Sequence, residues 1–221
     1  MDERDIADLA SLHISCLSDS AVALLGARYA RSFYRYVTRS EREACFVERN
    51  AAGRIVAAAV ISLEPATLDR RLLLHTSLLF RLLRHPRHAV ALLTGHSDEP
   101  AHLPDAAANA APLPEMILIY TSGDERGRGR GTALIEQAER RLLQLGVSVY
   151  QVKTVATSSN AALAFYRNRN FTPAGTTFAL GRQFQVFAQQ LVEGRKVSRA
   201  PVNRFVEYFA LVPRRFKLEH S

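Results

Sequence analysis

The segment richest in potential chemistry is Ser122-Gly123-Asp124-Glu125-Arg126-Gly127-Arg128-Gly129-Arg130-Gly131, set between an apolar run, Met116 to Thr121, and a helical pattern that opens at Thr132. A helix start exposes unpaired backbone N–H groups and the positive end of the dipole, and glycines let a phosphate come close to that backbone. The segment therefore reads as an anion cradle, where each well-placed negative charge gains roughly 0.3 to 1 kcal/mol from the dipole. Two common phosphate loops fit it poorly. A nucleotide-hydrolysing loop needs Gly-Lys-Ser/Thr at the helix start, and Arg130-Gly131-Thr132 lacks that lysine. A dinucleotide fold needs GxGxxG and an acid after the next strand, whereas here the glycines are Gly127, Gly129 and Gly131, and Val155 is followed by Ala156-Thr157-Ser158.

A third pattern matches. Arg126-x-x-Gly129-x-Gly131, continuing into Thr132-Ala133-Leu134, resembles the acetyl-coenzyme A loop of the GNAT N-acetyltransferase superfamily, Arg/Gln-x-x-Gly-x-Gly/Ala between a strand and a helix. Further on, Ser158-Ser159-Asn160-Ala161-Ala162-Leu163-Ala164-Phe165-Tyr166-Arg167-Asn168-Arg169-Asn170-Phe171 resembles the family's SN-x-x-A-x-x-FY-x-x-x-GF segment. The resemblance covers residues 3 to 192 and is strongest from 115 to 171. It implies the acyl-coenzyme A N-acyltransferase fold: an α/β (α+β) architecture with a mixed, splayed central sheet of about six or seven strands flanked by helices, carrying a helical insertion. Acetyl-coenzyme A, as acyl donor, is expected in the gap between the strands near 116 and 148, and no metal is expected.

The resemblance also assigns roles. Backbone N–H groups of Ile119, Tyr120 and Thr121 would hold the thioester carbonyl. Arg126, Gly127, Arg128, Gly129, Arg130, Gly131 and Thr132 would hold the pyrophosphate, and Ser159 and Asn160 the pantetheine arm. Acetyl transfer to an amine needs a neutral nucleophile, a hold on the carbonyl oxygen as it gains charge, and a proton for the leaving thiolate. Tyr166 occupies the position of the family's tyrosine acid; its alternative is a packed helix aromatic beside Phe165. Glu115, eleven residues before Arg126, resembles in spacing the catalytic glutamate of the histone-acetyltransferase branch. Its alternative is a solvated carboxylate next to Pro114.

The chain departs from the family pattern at four places. Gly123 stands where proline is usual, Asn160 is one residue closer to Tyr166 so that Ser159 takes the aligned place, and Asn170 replaces a glycine at a site where Asn tolerates a left-handed cap. The usual first strand is not seen before the first helix: the tail supplies an edge strand, the sheet is one strand short, or the start is truncated.

The elements that must position these residues follow from periodicity. Ile6, Leu9, Leu12, Cys16 and Leu17, then Leu24, Leu25, Tyr29, Phe33 and Tyr36, mark two amphipathic helices. Residues 45–47 and 55–63 flank the turn Asn50-Ala51-Ala52-Gly53 as a hairpin. After the strand 116–121, Leu134, Ala138, Leu142 and Leu145 share one helix face that ends at Gly146; 147–155 alternates as a strand, 159–169 is a short helix, and 178–180 with 184–191 form a last hairpin. Residues 66–114 read as a basic helical arm inserted within a single acetyltransferase domain, 1–192, and 193–221 as a basic tail.

Composition bounds the rest. The 221 residues carry 29 Lys plus Arg against 21 Asp plus Glu, a formal +8, and the excess lies in the arm and tail: five arginines against one aspartate over 69–90, seven basic against three acidic residues over 193–221. The core is balanced, and the basic residues divide into 26 Arg and three Lys, a skew that weakens any inference from arginine abundance to nucleic acid, so the basic balance speaks to what those two segments meet rather than to catalysis. Cys16 and Cys45 form neither a disulfide framework nor a zinc site, and the histidines clustered between His75 and His102 lack a tight ligand set. No apolar run reaches the roughly 18 to 20 residues of a membrane span, and no secretory signal is read, so the expectation is a cytoplasmic protein with an amine acceptor as second substrate. Peripheral membrane contact by the arm and a dimer are compatible with this reading. The alternative function is a catalytically silent acyl-coenzyme A-binding module that docks on nucleic acid or an anionic membrane.

Overall fold

The computed structural model describes residues 1–75, 112–179 and 181–192. Most of the arm, including His85, His88, His96 and His102, and the whole tail lie outside the described residues. The chain opens with α1 (Glu3–Cys16), whose first turn is capped by the Asp2 carboxylate accepting from the Asp5 N–H at 2.8 Å. The second helical pattern is divided: α2 (Ala21–Leu24), capped by Ser20, is followed by α3 (Ala27–Val37). Gly26 makes the break, because its φ of 87° is outside the helical region.

Strands β1 (Glu43–Arg49) and β2 (Ile55–Ser62) pair antiparallel around the Asn50–Gly53 turn, where the Asn50 side chain accepts from the Ala52 and Arg54 N–H groups. Helix α4 (Pro65–His75) begins the arm and is tied to the sheet by Arg71, which pairs with the buried Glu43 and donates from Nε to the Tyr36 hydroxyl at 2.9 Å. Then come β3 (Glu115–Thr121), α5 (Arg130–Gln144), β4 (Val149–Val155), α6 (Ala161–Asn168), β5 (Thr172–Ala179) and β6 (Arg182–Gln190).

The described sheet has six strands in the order β1-β2-β3-β4-β6-β5, antiparallel except for the β3–β4 pair. It is the mixed sheet expected. Every residue of β2 is buried, as a strand covered on both faces requires. One face packs on α1, α3 and α4 through Leu9, Phe33, Tyr34, Val60 and Leu72. The other packs on α5 and α6 through Phe46, Met116, Leu134, Ile135 and Phe187. Leu134, Ile135 and Leu142 of α5 are almost wholly buried, each contributing about 1.5 to 3 kcal/mol of hydrophobic stabilisation.

Strand β5 starts at Thr172, earlier than the sequence suggests. Strand β5 lies at the sheet edge, and the register shift between Pro173 and Gly175 marks a bulge where an edge tolerates such residues. Asn170 does take the left-handed conformation, φ 62°, and lets the Phe171 N–H return to the Tyr166 carbonyl at 3.1 Å. Among the described residues no helix is long and apolar enough to cross a membrane.

Candidate active site

Parallel pairing between β3 and β4 is confined to their lower ends, Glu115 with Gln151 and Met116 with Val152. Beyond Met116 the strands part. The cause lies on the other edge of β3: the β2–β3 register shifts between Val60 and Ile61, so Ile117 is an extra residue that bends β3 away from β4. From Ile117 to Thr121 the edge of β3 that faces β4 has no ladder partner there. Such backbone groups must find partners elsewhere or be met by a ligand.

The open end leads directly into the glycine loop. A 3₁₀ turn, Gly123–Glu125, follows β3, and α5 starts at Arg130 with Gly129 at the N-cap position. Gly127 and Gly129 have φ of 73° and 77°, with nothing within 4 Å of an added Cβ at either. No side chain caps α5, so its first N–H groups face the loop without a side-chain acceptor. Gly131 differs: a Cβ there would lie 3.4 Å from Phe165 Cζ, in van der Waals contact, which marks where the first turn of α5 packs on α6. Because space around Gly129 is open, Gly129→Ala should cost about 1 kcal/mol through its left-handed backbone alone, read as a lowered urea midpoint with unchanged slope.

The three loop arginines are placed differently. Arg126 and Arg128 are exposed, and Arg126 Nε donates to the Thr121 carbonyl at 3.4 Å. Arg130 turns inward: Nη1 lies 3.0 Å from Glu48 Oε2 and Nη2 3.0 Å from Glu125 Oε2. Neither carboxylate was singled out by the sequence, since Glu48 is 82 residues from Arg130 and nothing in the spacing joins them.

Tyr166 sits on α6 with its ring buried, edge-on to Phe165 and Phe171 and tilted against Phe187, at centroid separations of 5.4, 5.2 and 5.7 Å. Burial pushes its hydroxyl well above the ordinary phenol range, so it stays protonated at neutral pH. The side chain forms no hydrogen bond among the described residues. Asn160 is committed to the protein: it caps α6, accepting from the Ala162 N–H at 3.0 Å, and donates to Thr154 Oγ1 and the Val155 carbonyl at 2.8 and 2.7 Å. Ser159 is exposed and Thr132 half-buried.

Glu115 stands at the paired foot of the splay. Its Oε2 takes both Lys153 Nζ and Gln151 Nε2 at 2.9 Å. Of the β3 residues, Ile119 sends its side chain toward α5 and α6, whereas Tyr120 enters the opposite layer. There Tyr120, Tyr34, His13 and Ser20 form a hydrogen-bonded chain, each step 2.7 Å, which sequence spacing did not suggest. Burial lowers His13 from its ordinary 6.5 to about 4. Cys16 Sγ donates to the Thr121 carbonyl at 3.5 Å, bringing the end of α1 to the open end of β3, while burial raises the Cys45 thiol to about 12. Across the opening, Asp19, after α1, pairs with Arg182 in the β5–β6 hairpin, which itself receives the Ala156 N–H at the end of β4. Among the described residues no group of three or more His, Cys, Asp or Glu residues is arranged to hold a metal ion.

Comparison with known proteins bears on the family and the fold. The sequence matches a family described as "Acetyltransferase (GNAT) family" over residues 9–171. No curated protein matches it in sequence. Among solved structures it is similar to the ribosomal-protein-S18-alanine N-acetyltransferase from Escherichia coli, with a TM-score of 0.51 and 14% identity over 89% of this chain and 94% of that one. It is also similar to an N-acetyltransferase from Staphylococcus aureus Mu50, with a TM-score of 0.53 and 14% identity over 87% and 96%. A third is the Drosophila melanogaster polyamine N-acetyltransferase, with a TM-score of 0.53 and 16% identity over 86% and 97%. At these identities the likeness is one of fold.

Proposed function

Since the chain belongs to the acetyltransferase (GNAT) family, we propose that it is an N-acetyltransferase that moves the acetyl group of acetyl-coenzyme A directly to a primary amine. The observation that carries this reading is the parting of β3 from β4 immediately beside an uncapped helix start reached through two left-handed glycines. These residues suit a pyrophosphate: Gly127 and Gly129 leave open backbone, and the N–H groups of Arg130, Gly131 and Thr132 begin a helix with no side-chain acceptor. Arg126 and Arg128 add charge that reaches solvent. Beyond the loop, the unpaired edge of β3 over Ile119, Tyr120 and Thr121 is assigned the thioester carbonyl, where N–H donors stabilise the charge that develops on oxygen.

In this reading the amine nitrogen bonds to the carbonyl carbon, the carbon–sulfur bond breaks, and no covalent enzyme species forms. Tyr166, whose phenol is protonated at neutral pH, supplies the proton to the departing sulfur. The amine's proton leaves through water to Glu115, whose side-chain contacts among the described residues, Lys153 and Gln151, both fall on Oε2.

Titration calorimetry is expected to detect binding of acetyl-coenzyme A, and a panel of primary amines is expected to include one whose addition releases free thiol with a matching acetylated product. Failure to bind acetyl-coenzyme A would overturn the proposal. Binding without turnover across a broad amine panel would replace it with an acyl-coenzyme A-binding protein.

A further inference from the structure

The resemblance of the loop to a phosphate site suggests that its three arginines act alike, but Arg130 is already spoken for. Its guanidinium lies between Glu48, at the end of β1, and Glu125, in the 3₁₀ turn, with side-chain exposures of 18, 9 and 11%. Nε of Arg130 adds a third contact to Glu125 Oε2 at 3.3 Å. A planar guanidinium bridges two carboxylates in this way because its donors diverge at fixed angles. Burial pushes the Glu48 carboxyl up, and the Arg130 guanidinium opposes that shift.

The placement has a mechanical consequence. Glu125 and Arg130 are the two ends of the segment containing Gly127 and Gly129, the residues that give the loop its freedom. Joining those ends closes the loop on itself, and Glu48 fastens the closed loop to the sheet. We propose that Arg130 is a positioning residue: its side chain does not hold the phosphates but, through Glu48 and Glu125, keeps the backbone N–H groups of the loop in the arrangement that receives them. This rests on the acetyl-coenzyme A reading for its ligand, although the closure of the loop is a property of the protein alone. Preorganisation of this kind strengthens binding by lowering the ordering that the ligand must impose.

The two roles for Arg130 predict opposite signs for one substitution. Glu48→Gln removes a negative charge beside the loop. If Arg130 were a phosphate ligand, the change would free its cation and reduce repulsion, so coenzyme A would bind as well or more tightly. If Arg130 is the clamp, the loop loosens and binding weakens. The expected result is a rise of about five- to tenfold in the Kd for coenzyme A and in the KM for acetyl-coenzyme A, with kcat at saturation changed by less than about twofold. Hydrogen exchange on the ligand-free protein supplies a readout independent of activity: amides from 126 to 133 should exchange faster in Glu48→Gln while those in the middle of α5 and in β2 do not change. Glu125→Gln should show the same pattern and serves if Glu48→Gln does not fold. Tighter or unchanged coenzyme A binding, or faster exchange spread over the whole domain, would overturn the clamp. If the unaltered protein fails to bind coenzyme A, the acetyltransferase reading falls, and the exchange experiment still decides whether the clamp exists.

Discussion

Tyr166→Phe should lower the rate of acetyl transfer at saturating substrates by about a hundredfold, near the lower end of what a well-placed general acid contributes, while changing coenzyme affinity little. The substitution suits the question because the ring stays. Tyr166 packs on Phe165, Phe171 and Phe187, and a phenylalanine fills the same space. The Tyr166 hydroxyl makes no hydrogen bond among the described residues, which leaves its proton uncommitted to the protein. Stopped-flow or steady-state thiol release gives the rate, calorimetry the affinity, and urea denaturation confirms that stability is kept. An unaltered kcat would return Tyr166 to the role of a core aromatic, and the thiolate's proton would then come from elsewhere.

Acid should destabilise the domain through His13. This imidazole is wholly buried between the Tyr34 hydroxyl and Ser20, and its folded value of about 4 lies below the ordinary 6.5 expected when the chain unfolds. Between those values the unfolded chain binds a proton that the folded protein refuses, so stability is complete above about pH 6.5 and is lost as pH falls toward 4. The loss attributable to this one group approaches about 3 kcal/mol at the lower end. Glu48 and Glu136 act in the opposite sense, because burial raises both carboxyls, so the comparison must be made by difference. Urea midpoints of the unaltered protein and His13→Gln, taken from pH 7.5 to 4.5, are expected to converge as pH falls, with the variant less stable at neutral pH and less sensitive to acid. Parallel curves would show that His13 titrates normally, and that the Tyr120–Tyr34–His13–Ser20 chain is open enough to admit charge.

Much of the fold was legible because its local signals are strong. The Asn50–Gly53 turn, the apolar face of α5 and the left-handed Asn170 each depend on neighbours close in the chain, and the structure has each where periodicity or turn chemistry put it. Errors fell where a tertiary setting overrides a local preference. Gly26 divides a helix that the apolar spacing runs through, and Thr172-Pro173-Ala174-Gly175 forms a strand because it lies at a sheet edge.

The same division holds at the site. Glycine at 127 and 129 and the helix start at Arg130 are properties of consecutive residues, and a phosphate cradle is what backbone N–H groups and small residues make in that order. Sequence could thus determine the glycine loop before a helix start and the family it resembles. It could not determine that Ile117 is an extra residue that parts β3 from β4, or that Arg130 is spent on Glu48 and Glu125. The parting depends on the register between β2 and β3, and the Arg130 clamp joins residues 82 positions apart. Contacts of that kind leave no spacing to read, because which charge meets which is decided only when strands from distant parts of the chain fix where their side chains end.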